Sequence, residues 1–298
     1  MTSLDLTGMG VALITPFKTD ESVDYEALSM IIDYLVDNGT DYIVALGTTA
    51  ETMTLADDEK KKVTRFIVEQ VNGRIPIVLG VGGNCTWSSV SQIKQTDFTG
   101  INALLSVVPY YNKPSQEGIY QHFKAIAEVA PVPIVLYNVP SRTGVNMTAE
   151  TTLRLAHAFD AFTAVKEASG NFVQIGEIIK HKPSGFQVIS GNDGDTFPLI
   201  ALGAVGVISV LGNAFPFDFS RMVRLALVGD DLNARAIHLR FTELYDLLFV
   251  DGSPAGIKSV LHLMGFIENK LRLPLVSART VTYEKIRQAL LQLNVKVK

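Results

Sequence analysis

Short apolar runs punctuate this chain at regular intervals. They are Gly10–Phe17, Asp41–Gly47, Ile75–Gly82, Ile101–Pro109, Val132–Pro140, Phe162–Ser169, Phe186–Gly191 and Ala204–Gly212. Each is almost continuously apolar rather than alternating. That pattern suits strands buried on both faces of a parallel sheet. Segments with three- and four-residue apolar spacing lie between them. Asp24–Gly39 opens on an acid and stops at glycine, and Asp57–Gly73 has an acidic first turn. Ser115–Ala130, Thr148–Phe159 and Asn171–His181 each begin on a residue able to cap a helix. Eight strand-like runs in alternation with helices predict an α/β fold, a (β/α)8 TIM barrel. An open doubly wound sheet is the alternative, weakened because no GxGxxG turn follows the first run.

Beyond Gly212 the pattern reads as helix throughout. Arg221–Val228, Asp231–Val250, Ser253–Gly265 and Thr282–Leu293 all show helical apolar spacing. The first serves as the eighth barrel helix, and the rest form a C-terminal helical appendage. The expected division is a catalytic barrel over residues 1–230 and a helical domain over 231–298. The length of 298 residues fits one barrel of about 250 residues with an addition.

Composition removes several classes of function. Lys and Arg number 26 against 30 Asp and Glu, a net charge of −4, which argues against nucleic acid or anionic lipid as a partner. No run is long and apolar enough for a membrane span, and the N-terminal residues lack a secretory pattern, so a cytoplasmic protein is expected. The single cysteine, Cys85, excludes a disulfide framework or a multi-cysteine metal site. The five histidines are scattered without metal-ligand spacing, so no metal is expected.

In a barrel, the C-terminal ends of the strands face the active site. The polar residues there are Thr48 and Thr49, Tyr110 to Asn112, Tyr137 and Asn138, Lys166 and Glu167, Ser190 to Asp193, and Ser209 beside Ile208. Lys166 interrupts an apolar strand. A lysine desolvated inside a barrel loses its proton more readily and becomes a nucleophile toward a carbonyl. The plainer alternative is a strand-end lysine reaching solvent. Tyr137 offers a phenol for proton transfer, and Thr48 and Tyr111 offer hydroxyls for a relay. Arg142 presents a planar fork suited to a carboxylate, although a lone loop arginine is usually just solvated. The adjacent N–H groups of the Gly47-Thr48-Thr49 turn suit a small anion.

Gly47–Thr52, Pro109–Gly118, Leu136–Gly144, Val165–Gly170, Ser190–Asp193 and Gly206–Val210 together resemble the dihydrodipicolinate synthase family, within the N-acetylneuraminate lyase group of class I aldolases. The resemblance spans nearly the whole chain. It implies that Lys166 forms a Schiff base with pyruvate and that Tyr137 exchanges protons through Thr48 and Tyr111. Tyr111 is then expected to reach a neighbouring subunit's site. It further implies that Thr49 contacts the pyruvate carboxylate, that Ile208 and Gly191 line the substrate site, and that Arg142 binds the second substrate. The implied reaction condenses pyruvate with L-aspartate-4-semialdehyde, the committed step toward diaminopimelate and lysine. It needs no cofactor, and the implied assembly is a homotetramer, a dimer of dimers.

Two departures stand out. Ala50 replaces the family's usual glycine, and the seventh strand ends Gly191-Asn192-Asp193 where Gly-Asp-Asp is frequent. Neither removes a hydroxyl or an amine that the reaction needs. The positions matching the family's lysine-inhibition site are Thr52, Asp57, Lys60, Asn84, Ser88 and Tyr110. Ser88 stands where lysine-sensitive members commonly carry a carboxylate. Lys60 adds like charge, so inhibition by lysine is expected to be weak or absent. The competing readings are another pyruvate-dependent aldolase acting on sugar acids, a catalytically silent pyruvate-binding barrel, and a phosphate-binding barrel. Arg142 in the Ser141–Gly144 loop speaks against the first, and the intact set of amine and hydroxyls against the second. No glycine-rich anion cradle follows the last two strands, which disfavours the third.

Overall fold

The computed structural model describes residues 4–298. Residues 1–3, the start of the segment read for a secretory pattern, lie outside it. Eight parallel strands close in sequence order into a barrel. They are β1 (Gly8–Ala12), β2 (Tyr42–Ala45), β3 (Ile77–Gly80), β4 (Ala103–Val107), β5 (Ile134–Asn138), β6 (Phe162–Glu167), β7 (Gln187–Ser190) and β8 (Gly206–Ser209). Every apolar run therefore coincides with one strand, although β1 begins at Gly8, two residues before its run. The two faces of each strand enter two separate cores, which is why the runs do not alternate. On β2, Tyr42 and Val44 pack inside the barrel, whereas Ile43 and Ala45 pack outward against the helices.

The N-terminal end of the barrel is plugged. A Cβ on Gly10 would lie 2.0 Å from the Tyr42 ring, so only glycine leaves that ring room to enter. Tyr42 is buried, and its hydroxyl donates to the Val207 carbonyl at 3.3 Å. Leu6 joins the same inner cluster, its N–H held by Gln187 Oε1 at 3.0 Å.

The expected caps form. Asp24, Ser115, Thr148 and Asn171 each accept a backbone N–H from the residue three positions on. Each such cap contributes about 1 kcal/mol.

The elements differ from the sequence expectation in four places. The first run continues past its strand, because Ile14 N–H donates to Asn213 Oδ1 (3.2 Å) and Asn213 Nδ2 donates to the Ala12 carbonyl (2.9 Å), leading the chain out of the sheet. Two barrel helices, Thr86–Gln95 and Thr196–Leu202, carry no readable period. The first buries only Ser89 and Ile93, and the second is short and contains Pro198. The stretch expected as one helix from Asp231 to Val250 is two, Asp231–Arg240 and Thr242–Leu247. The chain turns at Phe241 to bury its ring 5.0 Å from that of Phe215. Finally, the tail is not helical throughout. Residues 265–279 form an irregular segment between helices Ala255–Leu263 and Thr280–Gln292. Its backbone and side chains bond to the barrel instead, and Pro274 lacks the N–H a helix requires.

Candidate active site

Lys166 and Tyr137 are direct partners in the register between β5 and β6. Residues opposite each other on adjacent strands present their side chains to one face. Here that face is the barrel interior, and Lys166 Nζ sits 4.4 Å from the centre of the Tyr137 ring. Both side chains are buried. Burial pulls the Lys166 ammonium from its ordinary 10.5 down to about 8; Asp193 opposes that shift and Arg142 reinforces it. The difference is large in chemical terms. At pH 8 an unshifted lysine is about 0.3% free amine, whereas one titrating near 8 is about half free.

Burial raises the Tyr137 phenol, and the charge of Arg142 and a hydrogen bond with the Thr48 side chain pull it back. Thr48 opens the single turn Thr48–Ala50 that follows β2, exposed at the mouth, while Thr49 beside it is buried. Arg142 lies on the short helix Pro140–Thr143 after β5 and is exposed. Ile208 is buried in the inner cluster with Tyr137. Gly191 presses directly on the lysine: a Cβ there would be 3.2 Å from Lys166 Cε and 2.6 Å from Ala168 Cβ. A side chain at this position would collide with Ala168 and crowd Lys166. Ala50 carries no strain, since the left-handed residue of its turn is Glu51.

Tyr111 stands apart. It is 88% exposed, and its φ of +72° is unusual for a bulky residue. The fold thus brings Lys166, Tyr137, Thr48, Thr49, Arg142, Ile208 and Gly191 to one end of the barrel, and leaves Tyr111 pointing into solvent.

Two further groups belong to the site. Asp193 is a buried carboxylate that accepts the N–H groups of Val210 (3.1 Å) and Leu211 (2.8 Å). Burial pushes its pKa up, while Ser209, those amides and Lys166 pull it back. It is the negative charge facing the amine. Its position in the Ser190–Asp193 motif marked it, but its role needed the fold, which brings its charge near enough to act on Lys166. Behind the strands, Glu167 accepts from Asn138 Nδ2 (2.8 Å), Gln174 Nε2 (3.0 Å) and Ser169 Oγ (3.2 Å). This buried network ties β5 to β6 and so fixes Tyr137 relative to Lys166.

A buried amine of lowered pKa beside a phenol, with an arginine at the mouth, is equipped to add to a carbonyl and to manage the ensuing protons. Comparison with known proteins identifies the family. Residues 5–293 match the model of the dihydrodipicolinate synthetase family. The 4-hydroxy-tetrahydrodipicolinate synthase of Parabacteroides distasonis is 70% identical over 296 residues, covering 99% of this chain and 100% of the relative. That of Phocaeicola vulgatus is 66% identical over 291 residues, 98% of each chain. The crystal structure of dihydrodipicolinate synthase from Aquifex aeolicus superposes with a TM-score of 0.95 at 42% identity, covering 98% of this chain and 100% of that one. With fold and family model in agreement from the first strand to the last helix, this chain belongs to the dihydrodipicolinate synthetase family.

Proposed function

We propose that the chain is a lyase that condenses pyruvate with L-aspartate-4-semialdehyde to give 4-hydroxy-tetrahydrodipicolinate and water, the entry to diaminopimelate and lysine. The observation that carries the reading is the Lys166–Tyr137 pair, a nucleophile and a proton carrier in register inside the barrel.

The steps follow from the groups present. The free amine of Lys166 adds to C2 of pyruvate, and loss of water gives an imine. Tyr137 carries the protons, with Thr48 as its hydroxyl partner. Removal of a proton from C3 gives the enamine, which attacks the aldehyde carbon of the second substrate. The amino group of that substrate then attacks C2, closes the ring and releases Lys166. Thr49 takes the pyruvate carboxylate, and Ile208 and Gly191 form the wall around it. Asp193 balances the positive charge of the iminium.

Arg142 takes the carboxylate of the semialdehyde. Arg142→Ala should raise the KM for the semialdehyde by about tenfold or more, the scale of one lost charge-assisted hydrogen bond. Pyruvate adduct formation should persist, with its pH profile moved upward, because Arg142 holds Lys166 down. Steady-state kinetics at varied semialdehyde check this, and an unchanged KM would remove Arg142 from the site.

Tyr111 completes the site of a second subunit, which its exposure and left-handed backbone support. Mixing Tyr111→Phe with Lys166→Ala protomers provides the check. Each variant alone should be nearly inactive. Random reassortment should restore about a quarter of the parent activity, because each mixed dimer contains one intact site. A mixture no more active than its components would show that Tyr111 serves its own chain.

We propose a dimer of dimers. Met53, which lies beside the Tyr110 hydroxyl, and Trp87 are exposed, and Phe172, Val173 and Leu202 line a separate apolar recess with Pro198 and Ala201. The catalytic unit is taken as residues 1–230 and the helical tail as 231–298. Lys60 is already paired with Asp57 at 3.1 Å, which supports weak or absent inhibition by lysine. Among the described residues no helix is long and apolar enough to cross a membrane, and a cytoplasmic location suits the proposed substrates.

A further inference from the structure

The tail approaches the mouth of the barrel from behind. Helix Ala255–Leu263 carries Lys258, which is completely buried, and its ammonium pairs with Glu51, whose side chain is equally sealed from water. The same ammonium donates to the Lys270 carbonyl at 3.0 Å and sits 4.2 Å from the centre of the Phe17 ring. The other carboxylate oxygen of Glu51 accepts the Arg272 backbone N–H at 3.1 Å. The Arg272 side chain continues the seam, donating to the Thr54 carbonyl at 3.1 Å and to both Glu59 oxygens at 2.7 and 2.6 Å.

The place of Glu51 in the chain gives this pair its meaning. Its N–H donates to the Thr48 carbonyl at 3.1 Å, closing the turn Thr48–Ala50. Its own carbonyl accepts from Thr54 N–H at 2.8 Å and from Thr54 Oγ1 at 2.9 Å, opening the next turn. Its backbone is left-handed, φ 55° and ψ 35°. A residue with a long side chain holds that conformation only when its surroundings impose it. A buried ion pair is also a poor source of stability, because two apolar side chains of similar size serve as well or better. The two buried charges therefore need a reason beyond holding the tail to the barrel.

We propose that Glu51 and Lys258 are positioning residues of the active site: the tail grips Glu51, and Glu51 sets the turn that presents Thr48 to Tyr137 and Thr49 to pyruvate. The inference rests on the roles proposed above for Thr48 and Thr49. The pair touches no substrate and exchanges no proton with it. A displaced turn leaves Lys166 in place but misaligns the hydroxyls, and misplacement by about 1 Å costs on the order of 100-fold in rate.

The test uses the full chain and begins with the parent enzyme, measuring turnover and borohydride-trapped pyruvate on Lys166. A parent without adduct or turnover would overturn the functional reading itself. The double variant Glu51→Gln, Lys258→Met then removes both charges at similar volume and leaves no lone buried ion. Its melting temperature should stay within a few degrees of the parent. The pyruvate KM should rise about tenfold and kcat should fall about 100-fold, with the Lys166 adduct still trapped at saturating pyruvate. Parent values of both constants would overturn the positioning role and leave the functional reading intact. So would activity lost only in proportion to the unfolded fraction. Should the double variant fail to fold, Glu51→Asp is the second arm. It keeps the charge but shortens the reach, and its pyruvate KM should rise about fivefold in a folded protein, on the same misplacement scale. A parent KM there would overturn the proposal.

Discussion

Lys166→Ala should fold normally and lose both the pyruvate adduct and all turnover. Its side chain occupies the open end of the barrel, and its immediate neighbours, Gly191 and the Tyr137 ring, do not depend on its charge for their backbone bonds. Mass spectrometry after borohydride reduction should show a pyruvate-sized increment on the parent and none on the variant. An adduct on Lys166→Ala would place the nucleophile elsewhere. The pH dependence of the parent adds a second check. The attacking species is the free amine, so the rate of adduct formation should rise with pH and level off above about 8. Asp193→Asn removes the charge that favours the ammonium. Its profile should therefore move toward lower pH.

Tyr137→Phe should fold, retain adduct formation at a reduced rate, and lose about 100- to 10,000-fold in turnover, the range for removing a positioned proton carrier. The substitution isolates the proton, because phenylalanine keeps a ring against the Lys166 ammonium at the place where 4.4 Å separates them now. Comparison of kcat with the rate of adduct trapping distinguishes proton delivery from a general disturbance of the site. Turnover within threefold of the parent would assign proton delivery to another group. Thr48 is the first candidate, since its hydroxyl is near enough to pull the phenol's pKa down.

The barrel was legible because both faces of each strand are buried, so eight continuous apolar runs replaced the usual alternation. Lys166 was legible for the same reason, as a charge inside such a run. What escaped the pattern had little apolar periodicity to show. Helix Thr86–Gln95 buries two residues, and helix Thr196–Leu202 makes fewer than two full turns. Glu51 and Lys258 escaped for a different reason. Each looks like an exposed charge in its own segment, Glu51 in a polar turn and Lys258 on an amphipathic helix. Only the folding of the tail back onto the turn makes them partners. The irregular segment 265–279 follows the same logic, since its hydrogen bonds go to residues distant in sequence. The tail carries none of the candidate catalytic side chains, yet these bonds give it contact with the Thr48–Ala50 turn.

The plug formed by Tyr42 and Leu6 turns the barrel into a well with a single opening. Whatever enters must leave by the same door, and molecules stacked in such a well obey an order. Lys166 lies inward of the exposed Arg142. With the roles proposed above, the molecule bound by the amine lies deeper than the one held at the rim. The closed floor depends on a glycine of the first strand, whose missing side chain leaves the Tyr42 ring the room it fills.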